Sequence, residues 1–315
     1  MAFVRALLCC GVLFVGSAMA QPQLVEINKK TITLLAGEPA WFSQAQSIAG
    51  EVAHTQGLRV IPMQGTGCVD AAADVLQLTQ VDMALLSSDC LAYVEQQGLL
   101  PNASEKLAYI ARVKSVPLVM ITRIDVPNLT ALAGKRIATG PANSAGFASG
   151  EILLGSLGLP FVRVPQDGTS AVAALQRGEA DAVLLQGFEA LDGSLDPAKF
   201  RVLGLSTAQG SGIAHAPALV EAADLQGLLP EGQTLETVST ALVLAVFKWP
   251  ESSPKAAKIK LFSSVYFEKE AFGDKASELS TSVPGLTRYE SATRALEDLQ
   301  TNNPDPTALQ QGDGP

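Results

Sequence analysis

The sequence predicts an α/β fold of two lobes built alike, and three observations carry that expectation. Short β-rich runs alternate with helical stretches from Lys30 onward, the pattern of parallel strands joined by helices. Leu76-Gln77, Asp82 and Leu85-Leu86 recur as Leu175-Gln176, Asp181 and Leu184-Leu185 at a constant offset of 99, with five of eleven positions matching. Upstream of each copy stand a strand, a Gly-Thr pair (Gly65-Thr66 and Gly168-Thr169) and a short helix.

Thr31 to Leu35 reads as the first strand. Ser43 to Gln56 then places Ala45, Ile48, Ala49, Val52 and Ala53 on one helical face, with Ser43 and Gln46 spaced as a capping box. Val60 to Met63 is a strand, Val69 to Leu78 a helix, Val81 to Leu86 a strand and Cys90 to Gln97 a helix. Arg136 to Thr139 is a strand followed by the loop Gly140 to Ser144. The next helix carries Phe147, Glu151, Leu154 and Leu157, and stops at Gly158 with Pro160 just beyond.

Of 315 residues, 47% are hydrophobic and 17% charged, an ordinary globular composition that excludes collagenous and wholly disordered chains. A formal charge of -9 and the lack of any basic stripe argue against nucleic acid, whose phosphates need clustered Lys and Arg. Met1 to Ala20 combines Arg5, an apolar run from Ala6 to Val15 and small residues ending Ala18-Met19-Ala20, the layout of an export signal cleaved after Ala20. The run is too short for a permanent span, so an exported, periplasmic product is expected. Cleavage leaves Cys68 and Cys90, which either pair in an oxidising compartment or sit as two small core thiols.

Two such lobes present strand carboxyl ends and helix amino termini along one edge each, where open α/β sheets bind ligands. Backbone N–H groups there suit an anionic group without any Arg or Lys. The candidate loops are Gly37 to Phe42, Gln64 to Cys68, Ser87 to Asp89, Gly140 to Phe147, Gln166 to Ser170 and Gln186 to Glu189.

Asp125 to Pro160, and within it Leu129-Thr130-Ala131-Leu132-Ala133-Gly134-Lys135-Arg136-Ile137-Ala138-Thr139-Gly140-Pro141, resembles the segment that opens the second lobe of periplasmic solute-binding proteins. Val60 to Asp89, with Gly65-Thr66-Gly67 and Val81-Asp82-Met83-Ala84, is similar to the TAXI group of TRAP-transporter receptors, as are Thr237 to Val246 and Val283 to Tyr289. The resemblance implies a type II periplasmic-binding-protein-like fold, with mixed, mostly parallel sheets joined by two crossover strands. It also implies a small organic acid or amino acid as solute, and a TRAP-type or other permease as partner. The family's first loop is Gly-rich and ends in paired tyrosines. Here Gly37-Glu38-Pro39-Ala40-Trp41-Phe42 keeps aromatic character but neither the glycines nor the phenols.

On this reading lobe 1 comprises residues 21–116 and 240–300, lobe 2 residues 117–239, and 301–315 form a disordered tail. Leu118 to Thr122 and Val238 to Val246 are the crossovers. The chain is expected to be a monomer, to need no cofactor or metal, and not to be an enzyme. Binding is assigned to Thr66, Gly67, Ser87, Ser88, Thr139, Asn143, Ser144 and Gln186, with Trp41 as an apolar wall; Asp89 caps a helix and offers a secondary contact to an ammonium. Glu38 faces solvent or lines the cleft, and Asp82 and Asp181 are structural turn residues. Two alternatives stand beside this: a secreted serine hydrolase using Ser144 and His215, since Ala142-Asn143-Ser144-Ala145-Gly146 mimics a nucleophile elbow, and a sensor or assembly partner on the same fold.

Overall fold

The computed structural model describes residues 29–205, 214–270 and 279–302; the expected signal segment Met1 to Ala20 and the tail beyond residue 302 lie outside the described residues. The first half runs β1 (Thr31–Ala36), α1 (Phe42–Val52), β2 (Arg59–Gln64), α2 (Cys68–Gln77), β3 (Met83–Ser87), α3 (Ser88–Gln96) and the short α4 (Ala103–Lys106) into the long strand β4 (Leu107–Arg123). The second runs β5 (Arg136–Ala138), α5 (Ala145–Ser156), β6 (Val162–Val164), α6 (Gly168–Gln176), β7 (Ala182–Gln186), β8 (Phe200–Leu203) and β9 (Ala216–Glu221). A second long strand, β10 (Thr234–Phe247), returns to the first half, followed by α7 (Pro254–Glu270) and α8 (Glu290–Asn302).

The strands order as β2-β1-β3-β10-β4-β7-β5-β6, with β8 added to β4 and β9 to β10. Each lobe therefore repeats one plan. In the first, β1 is flanked in parallel by β2 and β3, and antiparallel β10 closes the set. In the second, β5 is flanked in parallel by β6 and β7, and antiparallel β4 closes it. The lobe sheets run into each other because β4 and β10 pair along their length, from Leu107↔Phe247 to Leu118↔Val238. Where β4 passes from one lobe to the other its burial drops, Arg112, Val113 and Lys114 are half-buried and Ser115 is exposed, and Pro117 supplies no ladder N–H.

The second lobe shows why these residues make a sheet covered on both faces. Val119 and Ile121 of β4 and Val183 and Leu185 of β7 pack in one hydrophobic cluster, while Leu118, Met120, Ala182 and Leu184 pack in another. That is the two-residue period of a strand. In the first lobe Ala45, Ile48, Ala49 and Val52 form the buried stripe of α1, at the spacing a helix needs to turn one face inward.

The duplicated residues fall at equivalent places. Asp82 precedes β3 and its Oδ2 accepts the N–H of Thr33 in β1 at 3.0 Å; Asp181 precedes β7 and its Oδ2 accepts the N–H of Arg136 in β5 at 3.0 Å. Each carboxylate ties the third strand of its lobe to the first. Lys255 of α7 pairs with Asp82 at 3.0 Å, and Arg136 itself pairs with Asp181 at 2.9 Å.

Several local expectations need correction. The first helix starts at Phe42 and ends at Val52, not at Ser43 and Gln56, and no side chain caps it. Pro39 fixes the start of a 3-10 turn (Pro39–Trp41) that feeds directly into the helix, so Ser43 lies inside it rather than at a cap. His54 and Gln56 then take left-handed backbone conformations that end it. Asp89 is no cap: α3 begins at Ser88 with Ser87 at its N-cap. The crossovers extend well beyond Leu118 to Thr122 and Val238 to Val246, and Thr301 belongs to α8 rather than to a tail.

Candidate functional site

The loops at the carboxyl ends of the parallel strands converge on a cavity of about 470 Å³ between the lobes. The first lobe lines it with Glu38, Pro39, Ala40, Trp41, Lys114 and Val116, and the second with Ser144 to Gly146, Asp167, Gly168 and Leu185 to Gly187, together with Glu189 and Ala190. A second cavity, about 520 Å³, lies behind the first lobe between α7, α8 and the end of β10, beside Trp249, Lys260, Arg288 and Arg294. The interlobe cavity is the candidate site because it occupies the edge where strand ends and helix amino termini meet.

Glu38 organises that edge. Its Oε1 accepts the N–H of Cys68, first residue of α2, at 2.9 Å and the N–H of Ala145, first residue of α5, at 2.7 Å. One carboxylate oxygen thus joins two helix amino termini from opposite lobes, where orphan amides and helix dipoles favour negative charge. Burial pushes the Glu38 pKa up to about 7, the two amide bonds oppose that rise, and the nearby Asp167 charge adds to it.

Backbone contacts hold the loops together around it. Val69 N–H donates to Asn143 O at 3.2 Å across the lobes. A Cβ on Gly67 would lie 2.7 Å from that same oxygen, so the approach requires glycine. Asn143 itself adopts φ 74°, a conformation Asn tolerates better than most residues. Ser144 caps α5 by accepting the N–H of Phe147 at 3.1 Å.

One side of the cleft is sealed. Helix α3 packs on α5, with Tyr93 and Phe147 edge to face at 5.7 Å. Beneath them Asp89, fully buried, accepts a bond from Ser149 Oγ of α5 and meets His215 Nε2 at 3.3 Å. Gln186 Nε2 donates to Ser149 Oγ at 2.6 Å. Burial raises the Asp89 pKa, but the hydrogen bond and charge of His215 and the Ser149 hydroxyl outweigh it and hold the group below the ordinary carboxylate range. Alongside, Ser88 Oγ donates to Ala214 O at 3.0 Å, accepts the Ala241 N–H at 3.0 Å and lies 3.1 Å from Thr240 Oγ1.

The residues singled out from sequence therefore divide. Trp41, Ser144 and Gln186 line the cavity. Ser87, Ser88, Asp89 and Thr139 are buried, and Ser88 and Asp89 are bonded within the seam. Asn143 accepts the interlobe bond from Val69, with Gly67 in close approach beside it, and Thr66 Oγ1 donates to the exposed Asp70 in the first turn of α2. Glu38 lines the cleft, which resolves the two readings left open for it. Lys114, Val116 and Leu185 escaped sequence reasoning because they lie on β4 and β7, not in the Gly-rich loops. Cys68 and Cys90 form a disulfide that ties the start of α2 to α3. Ser144 and His215 engage different partners, Phe147 and Asp89, so this geometry lends the hydrolase reading no support. Among the described residues, no cluster of His, Cys, Asp and Glu is placed to hold a metal ion, and no helix is long and apolar enough to cross a membrane.

No protein-family profile and no curated protein matches this chain. Among solved structures it is similar to a TctC solute binding protein from Polaromonas at 18% identity and a TM-score of 0.48, over 85% of this chain and 88% of that one. It is similar to the periplasmic binding protein BugD at 15% identity and 0.49, over 87% and 96%. It is also similar to arginine-bound ArgBP from T. maritima at 16% and 0.46, over 78% and 99%.

Proposed function

We propose that the chain is an exported solute-binding protein that captures a small organic acid or amino acid between its lobes and presents it to a membrane permease, of TRAP type by the sequence resemblance. The observation that supports this most is the interlobe cavity, bounded by loops from equivalent strands of two like lobes and walled by Trp41. Its volume lies within the range of small-molecule sites. The division at residues 116/117 and 239/240 puts the change of lobe where β4 and β10 pass between sheets, and hinge motion there would open the cleft. Cleavage after Ala20, a periplasmic location and a monomeric state complete the reading.

A thermal-shift screen of organic acids and amino acids tests it, since a ligand at 100 times its dissociation constant adds about 2.7 kcal/mol to stability. A hit that Trp41→Ala weakens supports the cavity as the site; a hit that Trp41→Ala, Ser144→Ala and Gln186→Ala all leave unchanged places binding elsewhere. The sealed seam of Asp89, Ser149 and His215 favours a second reading, a sensor or assembly partner that stays closed. That reading expects no solute to co-purify and no hit in the screen.

A further inference from the structure

The amide pair that would hold a solute carboxylate between the lobes already holds one, that of Glu38. What remains of the cavity is acidic. Lys114 and Glu189 pair with each other at 3.5 Å, Lys114 half-buried and Glu189 largely exposed. The Asp167 carboxylate lines the cavity with no side-chain partner among the described residues. Three helix termini meet here, α2 and α5 at Glu38 and α6 at its N-cap residue Asp167; at about half a charge each they fall short of balancing the two carboxylates. The walls between are apolar: Trp41, Val116 and Leu185. An aromatic face with carboxylates beside it favours a cation, and repels a second anion.

Resting on the solute-binding reading above, we infer that the cleft recognises a protonated amino group on a compact, partly apolar solute, with Glu38 and Asp167 as its charge partners and Trp41 as its wall. Glu38 sets the preference: it takes the anion position for the chain itself, so simple mono- and dicarboxylates are refused and amine-bearing solutes are accepted. Oε1 is committed to the two amides, which fixes the carboxylate in place and leaves Oε2 to serve the solute. Because Glu38 titrates near neutrality, a cation that needs it ionised binds more tightly as pH rises, and below about pH 8 its binding expels a proton. Asp167, Glu189 and Lys114 are the other charged groups on this cavity.

Isothermal titration calorimetry of the full protein at about pH 8, above the Glu38 pKa of about 7, distinguishes the outcomes. The probes are putrescine, ethanolamine and L-lysine against succinate and citrate. The expected result is that at least one amine binds and neither carboxylate does. Glu38→Gln, which keeps an oxygen for both amides, then weakens the amine about tenfold or more, as does Asp167→Asn at its exposed position. Binding of succinate or citrate more tightly than any amine overturns the inference and leaves the solute-binding reading standing. An amine that binds equally well to wild type, Glu38→Gln and Asp167→Asn also overturns it. If none of the five binds wild type, the inference fails, and the thermal-shift screen decides whether the solute-binding reading falls with it.

Discussion

After β1 the chain runs through Gly37-Glu38-Pro39 into a 3-10 turn and then α1; after the equivalent strand β5 it runs through Gly140-Pro141-Ala142-Asn143-Ser144 directly into α5. The first loop offers a carboxylate and spends its helix-starting amides on a turn. The second offers free amides, with Ser144 covering one and Glu38 another. Elsewhere the lobes match down to the aspartate that ties third strand to first. What is duplicated builds the sheets, and what has diverged meets in the cleft. The first lobe also carries the disulfide between α2 and α3, at the point where Glu38 reaches α2.

The largest test addresses the seam that joins the lobes. Asp89→Ala removes a fully buried carboxylate from His215 and Ser149, and losing one member of such a pair typically costs on the order of 3–5 kcal/mol. Urea unfolding measures it. A loss below about 1 kcal/mol would mean that the lobes close without this network. Next comes the disulfide. Cys68 and Cys90 are separated by 22 residues, and replacing both with Ala should cost about 3 kcal/mol by loop entropy. Because the bridge lies wholly in the first lobe, hydrogen exchange should quicken in α2 and α3 while α6 and β7 keep their protection. Uniform quickening would show that the lobes unfold as one unit.

The sequence and the structure agree where a rule is local. β1, β2, α2, β3 and α5 lie within a few residues of their expected bounds, because β-branched runs, Gly65, Ser144 and Gly158 punctuate them. β4 was legible only in its second half: Arg112, Lys114 and Ser115 break the apolar pattern where the strand crosses between lobes, and Pro117 reads as a stop. The repeat pointed correctly to equivalent structure at Asp82 and Asp181, although nothing in the sequence said which backbone N–H each accepts. In the site, Trp41, Ser144 and Gln186 come from loops that composition marks. The pairing of Asp89 with His215 spans 126 residues and has no local signature. The role of Glu38 depends on two helices 77 residues apart converging on it, which only the fold can bring about.

The matched aspartates offer a direct test of the likeness between lobes. Asp82→Ala removes a carboxylate only 7% exposed, leaves the Thr33 N–H without its acceptor and takes the charge partner from Lys255, which keeps its bond to Thr79 O, and should cost about 2 kcal/mol. Asp181→Ala removes the same strand tie, but its partner Arg136 is solvent-exposed and can rehydrate, so a smaller loss is expected. Equal losses would mean that the strand tie, not the ion pair, carries the energy in both lobes.

Glu38→Gln should have the smallest effect on stability at neutral pH, within about 1 kcal/mol, since the amide oxygen can accept both N–H groups and no charge need be desolvated. Its signature is instead the pH dependence. The Glu38 pKa is about 7 in the folded protein against an ordinary 4.5, so between those values the folded state binds more protons than the unfolded. The stabilisation from that proton is complete below about 4.5, and it fades as pH rises through about 7. Wild type should therefore lose stability across this window relative to Glu38→Gln, and the two curves should run parallel above and below it. Chemical denaturation at intervals across the window measures the gap. A constant gap throughout would mean that Glu38 titrates as an ordinary exposed carboxylate, and that the asymmetry between the two loops is one of shape rather than charge.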